Sequence, residues 1–350
     1  MPRLDPKDPR LDELIKEYRR YDQSVDIVSI FEWLYTKTKS LPETVKHFER
    51  FPRITVDNVT CTPDFTVLFH NHPVAIVGEI AQFATKEQSV DSLCAQLLKY
   101  DGLTEIPGQN DNEKIESIDT ILIVPIRLGS NAVHRVLRER LESPEHIYKP
   151  QRRPCIVQHS FDEGKYVLQR LGDPENGILR DPTHGEGIGK WFKRGNVNVD
   201  PMKFSSIKAS RVFVNDTVNP LYLATHLWTR TIPSKVGGSP KNKPIPVGIN
   251  PSQIANEIRE QYGSVRSSDV KRALDLLEKA NLAEKTDLGE WRIAWSNLGT
   301  RSKEKDVVQI LAKRSLTSPD SGPLAQLKKI ERNASGDKGP IQRELTIFKK

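Results

Sequence analysis

The amino-acid sequence predicts an α/β fold, a mixed sheet flanked by helices, followed by a separate helical module closed by a β-hairpin. Three observations carry this. Within the first 150 residues helical spacing of apolar side chains gives way to strand-like segments and then returns. The run Ile118 to Ile126 is short, mostly apolar and dense in isoleucine, as in a strand covered on both faces. After residue 216, amphipathic helical segments lead into a stretch with alternating Trp291, Ile293 and Trp295. A chain of 350 residues has room for two modest domains. The expected divisions are 1–150 for the α/β core, 151–216 for a β-rich extension of it, 217–298 for the second module and 299–350 for a basic, partly disordered tail.

In order, Leu11 to Tyr21 and Ile27 to Thr36 have helical spacing, and Pro42 is placed to open a short helix running towards Phe51. Val59 to Phe69 and Val74 to Phe83 are rich in β-branched and aromatic residues, and His70-Asn71-His72-Pro73 forms the turn between them. Val90, Leu93, Cys94, Leu97 and Leu98 restore the helical period over Ser89 to Tyr100. Ala132 to Leu141 is a further helix with arginines outward. Short strands are expected at Cys155 to Phe161, Tyr166 to Leu171 and Arg211 to Val214. The glycine-rich segment from His184 to Gly189 lacks the lysine and hydroxyl of a phosphate-cradling loop and reads as a surface loop. Pro233 to Pro246 reads as a mobile insertion or linker. In the tail, Val307 to Leu311 has the spacing of a helical turn.

The formal charge of +7 suits a polyanionic partner without requiring one. Three widely spaced cysteines, Cys61, Cys94 and Cys155, form no CxxC pair, which argues against a zinc ribbon and for a reducing, cytoplasmic setting. No signal-peptide pattern and no run approaching about 18 apolar residues are present.

Two acidic residues stand out. Asp64, in Thr62-Pro63-Asp64-Phe65, belongs to the first strand of the hairpin, and Glu79, in Val77-Gly78-Glu79-Ile80, belongs to the second. Neighbouring strands lie about 4.8 Å apart, close enough for two such carboxylates to share one ion. Hard oxygen ligands suit Mg²⁺ (or Mn²⁺), which keeps water and a phosphate oxygen in its shell and activates the water for attack on a phosphodiester. Glu79 follows a strongly apolar stretch, where an ionised carboxylate is costly without a cation. His70 and His72 in the turn read as solvent-facing, and His134 and Cys155 have no ligand spacing.

Pro63-Asp64, the fourteen-residue gap, Glu79 and a following helix with Gln96-Leu-Leu-Lys99-Tyr100 resemble the PD-(D/E)XK nuclease superfamily over about residues 27–141. The resemblance implies an α/β core in which Asp64 and Glu79 bind metal, a lysine manages the attacking water and an acidic residue of a preceding helix completes the shell. Glu32 is the preferred candidate for the last role, with Glu43 and Glu49 as alternatives, and Gln96 is placed either to contact the site or to form the polar face of its helix.

Where the family has lysine two residues after the glutamate, this chain has Ala81. Three explanations stay open: Lys99 supplies the ammonium from the next helix, an original lysine has been replaced by Ala81, or the core binds without cutting.

The second module has a first helix at Leu221 to Thr229 and a second at Pro251 to Tyr262. After a Gly263-Ser264-Val265 turn, a third helix is capped by Ser267-Ser268-Asp269, and a hairpin turns at Asp287-Leu-Gly289. This order resembles the winged-helix family over about residues 219–296. The resemblance implies that the third helix enters the DNA major groove and the wing touches the backbone. Arg266, Ser268, Lys271 and Arg272 are the implied nucleic-acid contacts. The combined expectation is a Mg²⁺-dependent endonuclease, restriction- or defence-like, acting on DNA with RNA left open, and with a second copy or another protein as a further partner. The alternatives are a non-catalytic DNA-binding or regulatory protein on a degenerate nuclease core, and a protein-interaction adaptor.

Overall fold

A computed structural model describes residues 8–38, 44–56, 59–81, 87–181, 188–213, 217–237, 243–263, 265–287, 289–296, 298 and 304–334. The chain forms two compact units, Gln23–Asn215 and the combination of Met1–Asp22 with Asp216–Lys350.

Helix α1, Pro9–Lys37, begins in one unit and ends in the other. The expected break between two helices is absent, because Tyr21 and Val25 are both buried and continue the apolar stripe through the polar Asp22-Gln-Ser stretch. Strand β1, Val45–Arg50, replaces the short helix expected towards Phe51. Phe48 and Arg50 alternate inward there, which only an extended chain allows. Pro42 itself lies outside the described residues.

The expected strand from Val59 to Phe69 is broken at Thr62-Pro63. Its first part, β3 (Val59–Cys61), pairs with β2 (Ile54–Val56), and its second part is β4, Phe65–Phe69. β5 covers Val74–Ile80, short of Phe83, which lies outside the described residues. α2 (Glu87–Asp101) follows, then a small hairpin of β6 (Glu105–Pro107) and β7 (Asn112–Lys114), and the buried strand β8, Ser117–Pro125. β8 leads directly into α3 (Ile126–Ala132), which continues as π-helical turns to Leu141.

β9 (Cys155–Asp162) and β10 (Lys165–Arg170) form a hairpin whose turn residues Glu163 and Gly164 both have positive φ, as the twist of a two-residue hairpin demands. α4 (Ile188–Arg194), β11 (Val197–Val199) and α5 (Pro201–Ser210) complete this unit. Arg211 to Phe213 is not a strand; Val212 and Phe213 are buried individually, and Val214 lies outside the described residues. Of the glycine-rich segment, residues 184–187 are likewise outside, while Ile188 and Gly189 begin α4 rather than a loop.

The seven-stranded sheet runs β1-β4-β5-β8-β9-β10-β11. β5, β8 and β9 are mutually parallel and the other pairs antiparallel, so the sheet is mixed. Helices cover both faces. Phe31 and Leu34 of α1 pack with Phe65, Ile76 and Ile123 on one face. Val90, Leu93 and Leu97 of α2 pack with Ala75, Val77 and Leu122 on the other. This is the mixed α/β architecture that the alternating periodicities predict.

In the second unit, α6 (Pro220–His226) continues through π-helical turns into α7 (Ile232–Val236), which ends at Gly237 with φ 69°. The stretch expected to be a mobile linker is ordered at both ends: residues 233–236 are helical and β12 (Ile245–Ile249) is a strand. α8, Pro251–Tyr262, is capped by Asn250, whose side chain accepts from Ser252 and Gln253. α9 spans Ser267–Lys279, and its entry is secured by the Asp269 carboxylate accepting the Arg266 backbone N–H (2.9 Å) rather than by the two serines. β13 (Ala283–Lys285) and β14 (Trp291–Trp295) form the hairpin, and the three-stranded order is β12-β14-β13.

The tail expected to be partly disordered contains α10 (Glu304–Thr317) and α11 (Pro323–Ala334). Val307, Val308, Leu311 and Ala312 bury one face of α10 against α6 and α9, a helical stripe hidden in sequence among charged residues. Among the described residues no helix is long and apolar enough to cross a membrane.

Candidate functional site

Asp64 sits at the entrance to β4, where its backbone N–H donates to the Gly78 carbonyl (3.0 Å) and its carbonyl accepts from Phe51. The ladder pairs Phe65 with Gly78 and Thr66 with Val77. The ladder ends at the Phe65–Gly78 pair, and the Asp64 N–H bond to the Gly78 carbonyl leaves Asp64 at the strand entrance, next to the end of β5 that carries Glu79. Glu79 lies on the face packed by α2, since Ala75 and Val77 alternate with Gly78 and point to it with Glu79.

Gly78 makes the juxtaposition possible. A Cβ there would come within 2.1 Å of the Phe65 ring, so the aromatic side chain occupies the space that any other residue would need. Phe65 also stacks on Phe31 and Phe48, which fixes the strand end that carries Asp64. The Ile80 backbone N–H donates to Asp64 Oδ2 (2.6 Å), tying the first carboxylate to the strand of the second.

α2 orients Glu79. Gln96 Nε2 donates to Glu79 Oε1 (3.0 Å) and the Tyr100 hydroxyl donates to Oε2 (2.6 Å), while Gln96 also donates to the Tyr100 hydroxyl (2.7 Å). Gln96 and Tyr100 are four residues apart and therefore adjacent on the helix surface. Tyr100 is fully buried, and burial followed by the neighbouring Glu79 charge raises its pKa well above the usual phenol range, keeping it a donor. Both donors are neutral, so they hold Glu79 in place without cancelling its charge. Tyr100 had no role in the sequence reading; its four-residue spacing from Gln96 was the available signal.

Lys99 is exposed on α2. Its charge reaches the largely buried Cys61, whose thiol pKa is raised by burial, lowered by Lys99 and raised by Glu79, so Cys61 lies within electrostatic range of both. Ala81 continues the β5–β8 pairing, donating its N–H to the Ile123 carbonyl (2.9 Å), and its methyl is buried on the α2 face, two residues beyond Glu79. Position 81 therefore faces the same way as Glu79.

Glu32 is not brought to this site. It pairs with Nε of the buried Arg50, which also donates to Ser29 Oγ (3.0 Å) and the Arg211 carbonyl (2.9 Å). Arg50 alternates with Glu49 and shares the α1 face with Phe48. Glu49 projects to the carboxylate face, where it meets His47 Nε2 (3.0 Å), and Glu43 lies outside the described residues. His70 is exposed in the hairpin turn, His134 pairs with Glu139, and Cys155 is buried.

Among the described residues no group of three or more His, Cys, Asp and Glu side chains is placed to hold a metal. Two neighbouring carboxylates still match the needs of Mg²⁺, which is commonly held by one or two carboxylates with water and substrate phosphate filling the remaining positions. The donor chemistry of Asp64 and Glu79 thus fits a divalent ion.

In the second unit, Arg266, Ser268 and Lys271 are exposed along the first turns of α9. Arg272 is turned back onto Asp269 and the Val218 carbonyl, so it serves the packing of α9 as well as its surface. No family model matches this chain, and no curated protein or solved structure matches it.

Proposed function

We propose that the chain is a divalent-cation-dependent endonuclease acting on DNA, with a PD-(D/E)XK-type core and a winged-helix module over residues 217–298. The observation that carries this reading is that the Asp64 carboxylate is bonded to Ile80 at the end of β5, beside Glu79, which is itself fixed by Gln96 and Tyr100. Asp64 and Glu79 would hold Mg²⁺ or Mn²⁺, which when bound lowers the pKa of water and stabilises charge on phosphate. Gln96 and Tyr100 keep the Glu79 carboxylate oriented. Lys99, next to Tyr100 on α2, is assigned the task of steadying the water or the phosphate. In chain order β12, α8, α9 and the β13–β14 hairpin would supply the parts of a winged helix, with Arg266, Ser268 and Lys271 as its exposed approach to DNA and Arg272 behind them.

A specific observation favours a second reading, a nucleic-acid-binding protein without cleavage. The side chain at position 81 is a buried methyl where the resemblance requires an ammonium. Incubating supercoiled plasmid with the chain in Mg²⁺ or Mn²⁺ separates the two. Nicking that disappears in Asp64→Asn, Glu79→Gln and Lys99→Ala supports the nuclease. Salt-sensitive binding without nicking supports the second reading, and nicking retained in Asp64→Asn removes the proposed site.

A further inference from the structure

The three-stranded sheet of the second unit has an inner face and an outer face. Trp291, Ile293 and Trp295 are buried on the inner side, and the register places Arg292 and Ala294 on the other, beside Glu284, Gly248 and Pro246. Helix α11 lies on this outer face. Its apolar anchorage is small: Leu324 and Leu327 bury themselves against Ala294, forming a cluster of three residues. Around it stand ion pairs that cross from the helix to the hairpin. Glu331 pairs with Arg292, and Lys328 pairs with Glu284 (2.6 Å), while Arg292 also approaches Glu284 (3.4 Å).

Two consequences follow. The hairpin's arginine faces two carboxylates instead of solvent, and the helix that supplies one of them is held weakly. The partners of these pairs are 23–47% exposed, so salt weakens them. Ile330, one residue before Glu331, remains 42% exposed, so the apolar stripe of α11 is not fully seated. Helix α10 is different: four side chains anchor it against two helices.

We propose that α11 is a displaceable cover on the β13–β14 hairpin, which competes with the phosphates of a nucleic acid for Arg292. This rests on the reading that the second unit binds nucleic acid. A phosphate backbone offers Arg292 the anionic partner that Glu331 now provides, and the released Lys328 adds a second cation to the same surface. Binding then carries the cost of lifting α11, and any change that loosens α11 tightens binding.

The test uses the full chain and a fluorescent DNA duplex, with affinity measured by anisotropy across a salt series. Leu327→Asp removes one apolar anchor of α11 and Leu324→Asp removes the other. Both add negative charge, which alone would weaken binding to DNA, so tighter binding cannot come from electrostatics. The expected result is a gain of about fivefold in affinity for each variant and a salt dependence steeper by about one counterion, the signature of one more phosphate contact. Combining either variant with Arg292→Ala should erase the gain. Should one substitution unfold the module, as thermal melting would show, the other still decides. Unchanged or weaker binding in the folded variants, or a gain that survives Arg292→Ala, overturns the cover. If the parent chain binds and Lys271→Glu weakens it, that failure belongs to the cover alone; if neither parent nor variants bind DNA, the reading beneath it falls as well.

Discussion

The backbone N–H of Ile80 donates to the carboxylate of Asp64 at 2.6 Å, joining the two strands at the level where the acidic pair stands. The bond settles one oxygen of Asp64 and makes its orientation depend on the hairpin. Glu79 is secured differently, by the side chains of α2. The two carboxylates therefore respond to different substitutions.

Tyr100→Phe removes a donor from Glu79 while keeping the ring in the core. Glu79 Oε2 then loses the phenol hydroxyl, and the position of the carboxylate loosens. A single hydrogen bond to a charged group contributes about 1.5–3 kcal/mol, so Mn²⁺ affinity measured by calorimetry should fall about tenfold or more, with little change in secondary structure by circular dichroism. Undiminished affinity would mean that Tyr100 does not hold the cation ligand.

Ala81→Lys places an ammonium two residues beyond Glu79 on the same strand face. Properly positioned proton-transfer groups contribute at least on the order of a hundredfold in rate. Plasmid nicking in Mg²⁺ should rise by about that factor. A rate that does not move shows that Lys99 already fills the role or that the pocket holds no reacting phosphate.

Gly78→Ala inserts a methyl into the Phe65 ring. Overpacking of this kind costs about 1–3 kcal/mol. Denaturant unfolding should register that loss, and because Phe65 is the neighbour of Asp64, cation affinity should fall with it. A stable, fully binding variant would show that the ring can move away freely.

Sequence singles out residues of the candidate site more readily than their surroundings. Asp64, Glu79 and Gln96 could be singled out because strand alternation and helical spacing are local. The role of Glu32 was misplaced because its partner, Arg50, lies on a segment that reads as polar and helical. In the structure that segment is the edge strand β1, and one buried guanidinium joins α1 to the Arg211 carbonyl. Such pairings span distant parts of the chain and leave no periodic trace. Helices α2, α8 and α9 were legible from amphipathic spacing, whereas α10 and α11 were obscured by charged residues around few apolar ones. β12 was missed because Pro246 and Gly248 disguise a strand paired along only one edge.

Glu32→Gln separates the two roles assigned to that residue. Breaking a buried pair by removing one partner typically costs about 3–5 kcal/mol, and the neutral amide, which retains an acceptor for Arg50, should cost less than that. The melting temperature should fall while cation affinity at Asp64 and Glu79 stays unchanged. A loss of cation affinity without a loss of stability would return Glu32 to the metal shell.

Asp181 gives a pH signature. Its carboxylate accepts from Gly189 at the start of α4, and burial, opposed by those backbone donors, raises its pKa to about 6. The folded value lies above the unfolded one, so its contribution to stability is present in full below about pH 4 and is lost as pH rises through 6. The shift of about two units corresponds to about 3 kcal/mol. Asp181→Asn should remove this slope, so that its stability relative to the parent chain increases between pH 4 and pH 7 in urea titrations. Parallel profiles for the two proteins would refute the assignment.

All three cysteines of the chain, Cys61, Cys94 and Cys155, are buried as free thiols within the unit Gln23–Asn215, and none belongs to the other unit. A thiol-specific reagent is therefore a clock for one half of the protein. Under native conditions the rate at which it labels Cys94 and Cys155 measures how often the sheet unit opens. A cysteine introduced on α11 would then be the single reporter of its own half.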